Sequence, residues 1–257
     1  MSRAFRSWQD FWTFSHLVKH SSRFIHERTV SSFLATLHGT SPTRIRSVKA
    51  GSRVWRAQIG NDSIEREDDG QTWDEDVPYS AGRMKPLAYS AHEGRVNPKG
   101  IPCLYVASSR ETAVAEVRPW IGVNLSVAAL TIQRELKLVD FSVGHEGCHP
   151  LFLDEPSPKL RAEAVWKMVD QAFSAPVTTD VATAEYVPTQ VIAEFFKQKG
   201  FDGVVYRSSL SDGYNLALFD LTCAEVIHCA LHAVKAVKFE FEDASIGYTV
   251  KAKPTEA

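Results

Sequence analysis

The sequence predicts an α+β protein. Short β-branched and aromatic runs such as "RVWRAQI" and "GVVYR" read as strands, and "SPKLRAEAVWKMVDQAF" and "VPTQVIAEFFKQKG" carry the apolar spacing of amphipathic helices. The two kinds of element are mixed without regular βαβα alternation, which argues against a doubly wound parallel sheet.

In chain order, residues 5–37 read as helical. Trp8, Phe11, Trp12, Val18, Phe24, Ile25, Phe33, Leu34 and Leu37 recur at spacings of three, four or seven, and Gly39 is placed to close the last helix. This segment is expected to be a helical extension (residues 1–45) on a main domain (residues 46–257), with a partner-binding hairpin as the alternative. Residues 53–59 alternate as a strand. Residues 60–100 are polar, include "IEREDDGQTWDEDVP", and read as a long loop able to cover a site. A strand is expected at 101–107. A helix should follow at about 109–117, capped by Ser108 with Glu111 in capping-box spacing and ended by Pro119. "LSVAALTIQ" and "LKLVDFS" predict two more strands. "SDG" predicts the turn between the strands of "FDGVVYRSSLSDGYNLALFD". Gly200 sits where the helix before it should end. A last strand is expected at 237–240.

Bulk properties exclude several function classes. A chain of 257 residues can bury a sizeable core, and 44% apolar with 23% charged residues is ordinary for a soluble globular protein. A net charge of −2 provides no global field for nucleic acid or an anionic membrane. No run is apolar enough to span a bilayer, and the N-terminus lacks the apolar core of a secretory signal. The four cysteines, Cys103, Cys148, Cys223 and Cys229, form no CxxC pair and read as reduced, mostly buried thiols of a cytoplasmic protein. His145, Cys148 and His149 cluster, as do His228, Cys229 and His232, but neither group has structural-zinc spacing, so no metal is expected. GxGxxG, Walker and GxSxG motifs are missing from the sequence.

The run "EGRVNPKGIPCLYVASSRETAVAEV" is the most informative stretch. On its helix Ala113, Val114 and Val117 should face the core, and Glu116 edges that face. A carboxylate there is costly to bury unless paired or hydrogen-bonded. The plainer account is a flanking ion pair with Arg110 or Arg118. Arg56 lies mid-strand, where an arginine pairs with a carboxylate or grips an anion, unless the strand is an exposed edge. Arg95 lies in a Gly/Pro turn of the kind that exposes backbone N–H groups. Ser208 ends a strand before a turn, where a serine also serves as a plain cap.

Together these residues resemble a known family. The order Arg … GR-x-N-P-x-G … LY-x-A … ETA-x-AE … Y-x-S-S … N-L-x-L-F, from Val54 to Phe219, is similar to the RES domain family, named for its Arg, Glu and Ser positions. The family turn is commonly GGRWNP; Glu93 and Val96 replace its first Gly and its Trp here. The resemblance implies an ADP-ribosyltransferase-like fold, with mixed sheets and flanking helices. It also implies an enzyme that binds NAD+ as substrate and breaks the nicotinamide–ribose bond. By position, Arg56 matches the first family Arg, Arg95 the Arg of the glycine turn, Tyr105 the strand Tyr, Glu116 the helix Glu and Ser208 the Ser, with Ser209 a rival. The catalytic set so implied is Glu116, Arg56 and Ser208. The binding set is Arg56, Arg95, Tyr105, Ser208 and Ser209.

NAD+ chemistry accounts for these residue types. Two arginines can clamp a diphosphate in bidentate geometry. Cleavage builds oxocarbenium character on the ribose, which a nearby carboxylate stabilises. Tyr105 can pack on a ring and Ser208 can hydrogen-bond ribose or carboxamide. The expected function is NAD+ consumption by hydrolysis or phosphorolysis, as the toxin of a bacterial toxin–antitoxin pair. The alternatives are a protein ADP-ribosyltransferase and a non-catalytic nucleotide-binding or interaction domain. Expected partners are NAD+, a cognate antitoxin protein and a second copy of the chain, with no nucleic acid and no membrane.

Overall fold

The computed structural model describes residues 4–145, 152–176 and 182–238. Helices α1 (Asp10–His20) and α2 (Arg28–Gly39) lead the chain. Their buried faces carry Phe11, Phe14 and Val18, and Val30, Phe33, Leu34 and Leu37. Phe14 and Phe33 stack with ring centroids 4.4 Å apart. These side chains share one core with Phe141, Phe173 and Phe196 from later in the chain. The N-terminal helices therefore close over apolar surface that the rest of the protein would otherwise expose.

Strands β1 (Ile45–Val48) and β2 (Arg53–Ile59) come next, then β3 (Asp62–Asp68) and β4 (Gln71–Val77). Strands β3 and β4 form a separate two-stranded hairpin. This corrects the expected continuous loop over residues 60–100. The hairpin is polar on both faces, so no apolar stripe marks its strands. Its turn is marked: Asp69 and Gly70 both have positive φ, 49° and 75°, as a two-residue hairpin turn requires.

Strand β5 (Leu104–Ala107) leads into helix α3 (Arg110–Glu116). The capping residue is Ser109, whose side chain accepts from the Thr112 N–H, and not Ser108. Ser108 Oγ instead accepts from the Tyr214 N–H across the fold. Strands β6 (Asn124–Ile132) and β7 (Leu136–Asp140) follow. Helix α4 (Pro158–Ser174) begins with proline, whose missing N–H costs nothing in a first turn. After α5 (Ala182–Glu185), helix α6 (Val187–Gln198) ends at Gly200 in left-handed geometry, φ +80°. Strands β8 (Gly203–Arg207), β9 (Tyr214–Leu218) and β10 (Ala224–Ala233) are the remaining elements of the described residues.

Among the described residues the last strand is Ala224–Ala233; of the expected strand at 237–240, residues 237 and 238 are irregular and the remainder lies outside the described residues. A register shift between Val226 and His228 breaks the two-residue period of β10, which hides it from a pattern reading.

The α+β class holds. Eight strands form one mixed sheet in the order β1-β7-β8-β9-β5-β2-β6-β10, in which only β7 and β8 run parallel. Between β2 and β5 the pairing shrinks to one position, Trp55 opposite Ala107. The sheet is therefore two well-paired halves joined at a narrow seam. Among the described residues no helix is long and apolar enough to cross a membrane.

Candidate active site

The seam opens into a cavity of about 790 Å³, within the range of small-molecule sites. Trp55, Arg56 and Gln58 of β2 form one wall, and Tyr105, Tyr206 and Asn215 of β5, β8 and β9 form the other. Glu116 and Arg118 lie at the end of α3, and Gly94, Arg95 and Tyr186 also line the space.

Glu116 is held on the cavity side. Its Oε1 accepts from Ser208 Oγ at 2.6 Å and from Asn215 Nδ2 at 2.7 Å. The flanking ion pair does not form: Arg110 pairs with Glu111 at 3.3 Å, and no ion pair joins Glu116 to Arg118 among the described residues. Ser208 and Asn215 are both buried, so their donors arrive at Glu116 already desolvated. Glu116 Oε2 has no hydrogen-bond partner among the described residues, and it is the oxygen left for a ligand. Ser209, one residue on, is exposed.

Arg56 provides positive charge to the opposite wall. Its Nη1 donates to the Tyr105 carbonyl at 2.9 Å, across the seam. Its Nε is buried without a hydrogen-bond partner. No carboxylate pairs with Arg56 among the described residues, and burial pulls its pKa down from the ordinary arginine value. A half-buried guanidinium that no carboxylate neutralises is suited to receive an anion.

Arg95 is tied into the fold. Its Nη1 and Nη2 donate to the carbonyls of Ala172 and Ala175, at 2.7 and 2.6 Å. These are orphan carbonyls at the C-terminus of α4, where a cation is favoured. The guanidinium also sits 5.2 Å from the Tyr186 ring centroid. The turn before it is fastened by α6. Thr189 Oγ1 donates to the Arg95 carbonyl at 2.6 Å, and Gln190 Nε2 donates to the Gly94 carbonyl at 2.8 Å.

Tyr105 places its ring at the cavity, and its hydroxyl serves the same turn. The hydroxyl accepts from the Val96 N–H at 2.9 Å and donates to Asn97 Oδ1 at 2.7 Å. Burial pushes its pKa well above the ordinary tyrosine value. Asn97 Nδ2 reaches the carbonyls of His92 and Ile101, both at 2.9 Å, and so closes the loop. Val96, standing where the family has Trp, is buried in the main core.

Sequence reasoning gave no role to Asn215, Tyr186, Tyr206 or Gln58. Asn215 was within reach, as the Asn of "NLALF". Its partner lies 99 residues away, so only the fold reveals it. Among the described residues no group of three or more His, Cys, Asp and Glu is placed to hold a metal ion. Cys148 and His149 lie outside the described residues.

A family model described as RES domain matches residues 53–242, well over half of the chain. The chain belongs to the RES domain family. The RES match contains every residue of the cavity wall named above. No curated protein sequence matches the chain. Among solved structures, the M. tuberculosis MbcT–MbcA toxin–antitoxin complex is similar at 13% identity and a TM-score of 0.38, covering 77% of this chain and 92% of that one.

Proposed function

We propose that this RES protein is an NAD+-consuming enzyme that cleaves the bond between nicotinamide and ribose. One observation carries the reading: a carboxylate, Glu116, fixed by Ser208 and Asn215, shares a cavity with Arg56, a half-buried arginine that pairs with no carboxylate among the described residues. Such a pair suits a substrate with an anionic diphosphate and a ribose that becomes cationic during reaction.

In this reading the ribose C1′–N bond breaks and its electron pair leaves with the nicotinamide. Positive charge develops on the ribose. Glu116 stabilises that charge through Oε2, while Ser208 and Asn215 keep Oε1 in place. An incoming oxygen, from water or from phosphate, then bonds to C1′. Arg56 neutralises diphosphate charge. The Tyr105 ring packs against the sugar or the leaving ring. Arg95 holds the wall at the end of α4 and adds its charge to the site. Ser208, and not the exposed Ser209, fills the serine role.

In the cell the proposed role is that of a cytoplasmic toxin that depletes NAD+ and is restrained by an antitoxin protein, following the family resemblance. The test is to incubate the purified protein with NAD+ in phosphate and in phosphate-free buffer. Nicotinamide release supports the reading, and the partner product, ADP-ribose or its 1″-phosphate, names the acceptor. Label from NAD+ retained on a protein band would favour ADP-ribosyl transfer instead. No nicotinamide in any of these conditions sinks the enzyme reading.

A further inference from the structure

Three arginines line the cavity, and their donors are not equally free. Arg95 gives one N–H of each Nη to a helix carbonyl, which fixes its guanidinium in place. Arg56 gives Nη1 to the Tyr105 carbonyl and keeps Nε unused. The Arg118 backbone N–H donates to the Ala115 carbonyl at 3.0 Å, but its side chain has no hydrogen bond or ion pair among the described residues and is exposed at the cavity rim.

Arg118 also has an unusual backbone. It follows Val117, the C-cap of α3, and has φ +47°. This is the left-handed position where helices prefer glycine. A non-glycine residue there is strained, and such strain points to a use for the side chain. The bend turns the chain out of the helix two residues after Glu116, so the Arg118 side chain and the carboxylate border one space.

We propose that Arg118 is a substrate-binding residue that works with Arg56 to hold the diphosphate of NAD+, a role the family resemblance implied for Arg95. The proposal rests on the NAD+ reading above. A dianionic diphosphate entering the cavity meets the half-buried guanidinium of Arg56, which pairs with no carboxylate among the described residues, and the uncommitted guanidinium of Arg118. Arg95 is pinned by its two carbonyl bonds at the end of α4, so its guanidinium is held against that helix end rather than free to follow a ligand. Arg118 has nothing to release.

Calorimetric titration of wild type and of Arg118→Gly with two ligands tests this. ADP-ribose carries the diphosphate, and nicotinamide riboside does not. Glycine suits the left-handed position, so the variant should melt no lower than wild type. Loss of one charge-assisted contact should weaken ADP-ribose binding about 10- to 100-fold. Riboside binding should be unchanged. Arg118→Gln repeats the comparison without the added backbone freedom, and should show the same selective loss.

If wild type binds ADP-ribose and both variants bind it equally well, Arg118 is not a diphosphate ligand, and the NAD+ reading stands. Equal weakening of both ligands also overturns the proposal, because the effect would not belong to the phosphates. If wild type binds neither ADP-ribose nor NAD+, the NAD+ reading itself falls and takes this one with it.

Discussion

Ser208 Oγ donates to Glu116 Oε1 at 2.6 Å, joining residues 92 positions apart in the chain. Asn215 Nδ2 reaches the same oxygen at 2.7 Å. One carboxylate oxygen is thus anchored from the strand side while the other is left open. Removing either anchor should disturb orientation more than binding. Ser208→Ala and Asn215→Ala should each lower kcat for NAD+ cleavage about 10- to 100-fold, the worth of one hydrogen bond to a charged group. KM should change little. Steady-state kinetics check this, and a pure KM effect would assign the two residues to substrate binding instead.

Glu116→Gln keeps the shape and removes the charge. The glutamine can still accept from Ser208 and Asn215 through its amide oxygen. Turnover should fall by about 10²–10³-fold, as when one transition-state stabiliser is lost. NAD+ affinity, measured by titration, should stay close to that of wild type. A variant that retains turnover would remove Glu116 from the chemistry.

Gly94 is required by space. A Cβ there would lie 2.6 Å from the Tyr105 hydroxyl and 2.8 Å from Asn97 Oδ1. Those two atoms are hydrogen-bonded to each other and hold the turn. Gly94→Ala should destabilise the protein by about 1–3 kcal/mol through overpacking. Thermal melting measures it, and an unchanged melting temperature would mean that the turn yields at no cost.

Stability should decline in alkali. Burial pushes the Cys103 thiol up to about 12 and the Cys223 thiol up to about 11, from an ordinary value of 9.0. The folded protein therefore keeps protons that the unfolded chain has already released above pH 9. The stabilisation is complete below pH 9 and is lost as pH rises from about 9 to about 12. Melting temperatures at pH 8, 10 and 11 should fall in order. Cys103→Ala should flatten the slope, and an unchanged slope would place the loss elsewhere.

Much of this fold can be read in the sequence where one period governs. Strand β2 and helices α4 and α6 form where β-branched residues or apolar helical spacing predict them, although β2 buries Val54 and Ala57 on opposite faces and α6 is buried nearly all round its first two turns. The β3–β4 hairpin has no buried face to leave a pattern, and only its Asp-Gly turn announces it. For the site, the residue types were legible but their partners were not. Arg95 looks like an anion ligand in its turn. Its carbonyl partners lie 77 and 80 residues downstream, at a helix end that sequence does not place in space. Arg118 reads as a routine charge beside a helix end until its backbone angle is known.

The single pairing between β2 and β5 has a mechanical consequence. Within a continuous sheet, neighbouring strands are locked about 4.8 Å apart by their ladder, and side chains on them cannot drift. Here the ladder is one rung, Trp55 opposite Ala107, reinforced by the Arg56 bond to the Tyr105 carbonyl. The wall carrying Arg56 and the wall carrying Asn215 thus share one rung of backbone ladder, and it is side-chain packing under α3, Ala57 with Ala107 and Ala113, that bridges the rest of the seam. The backbone ladder is thinnest at the place where the cavity opens.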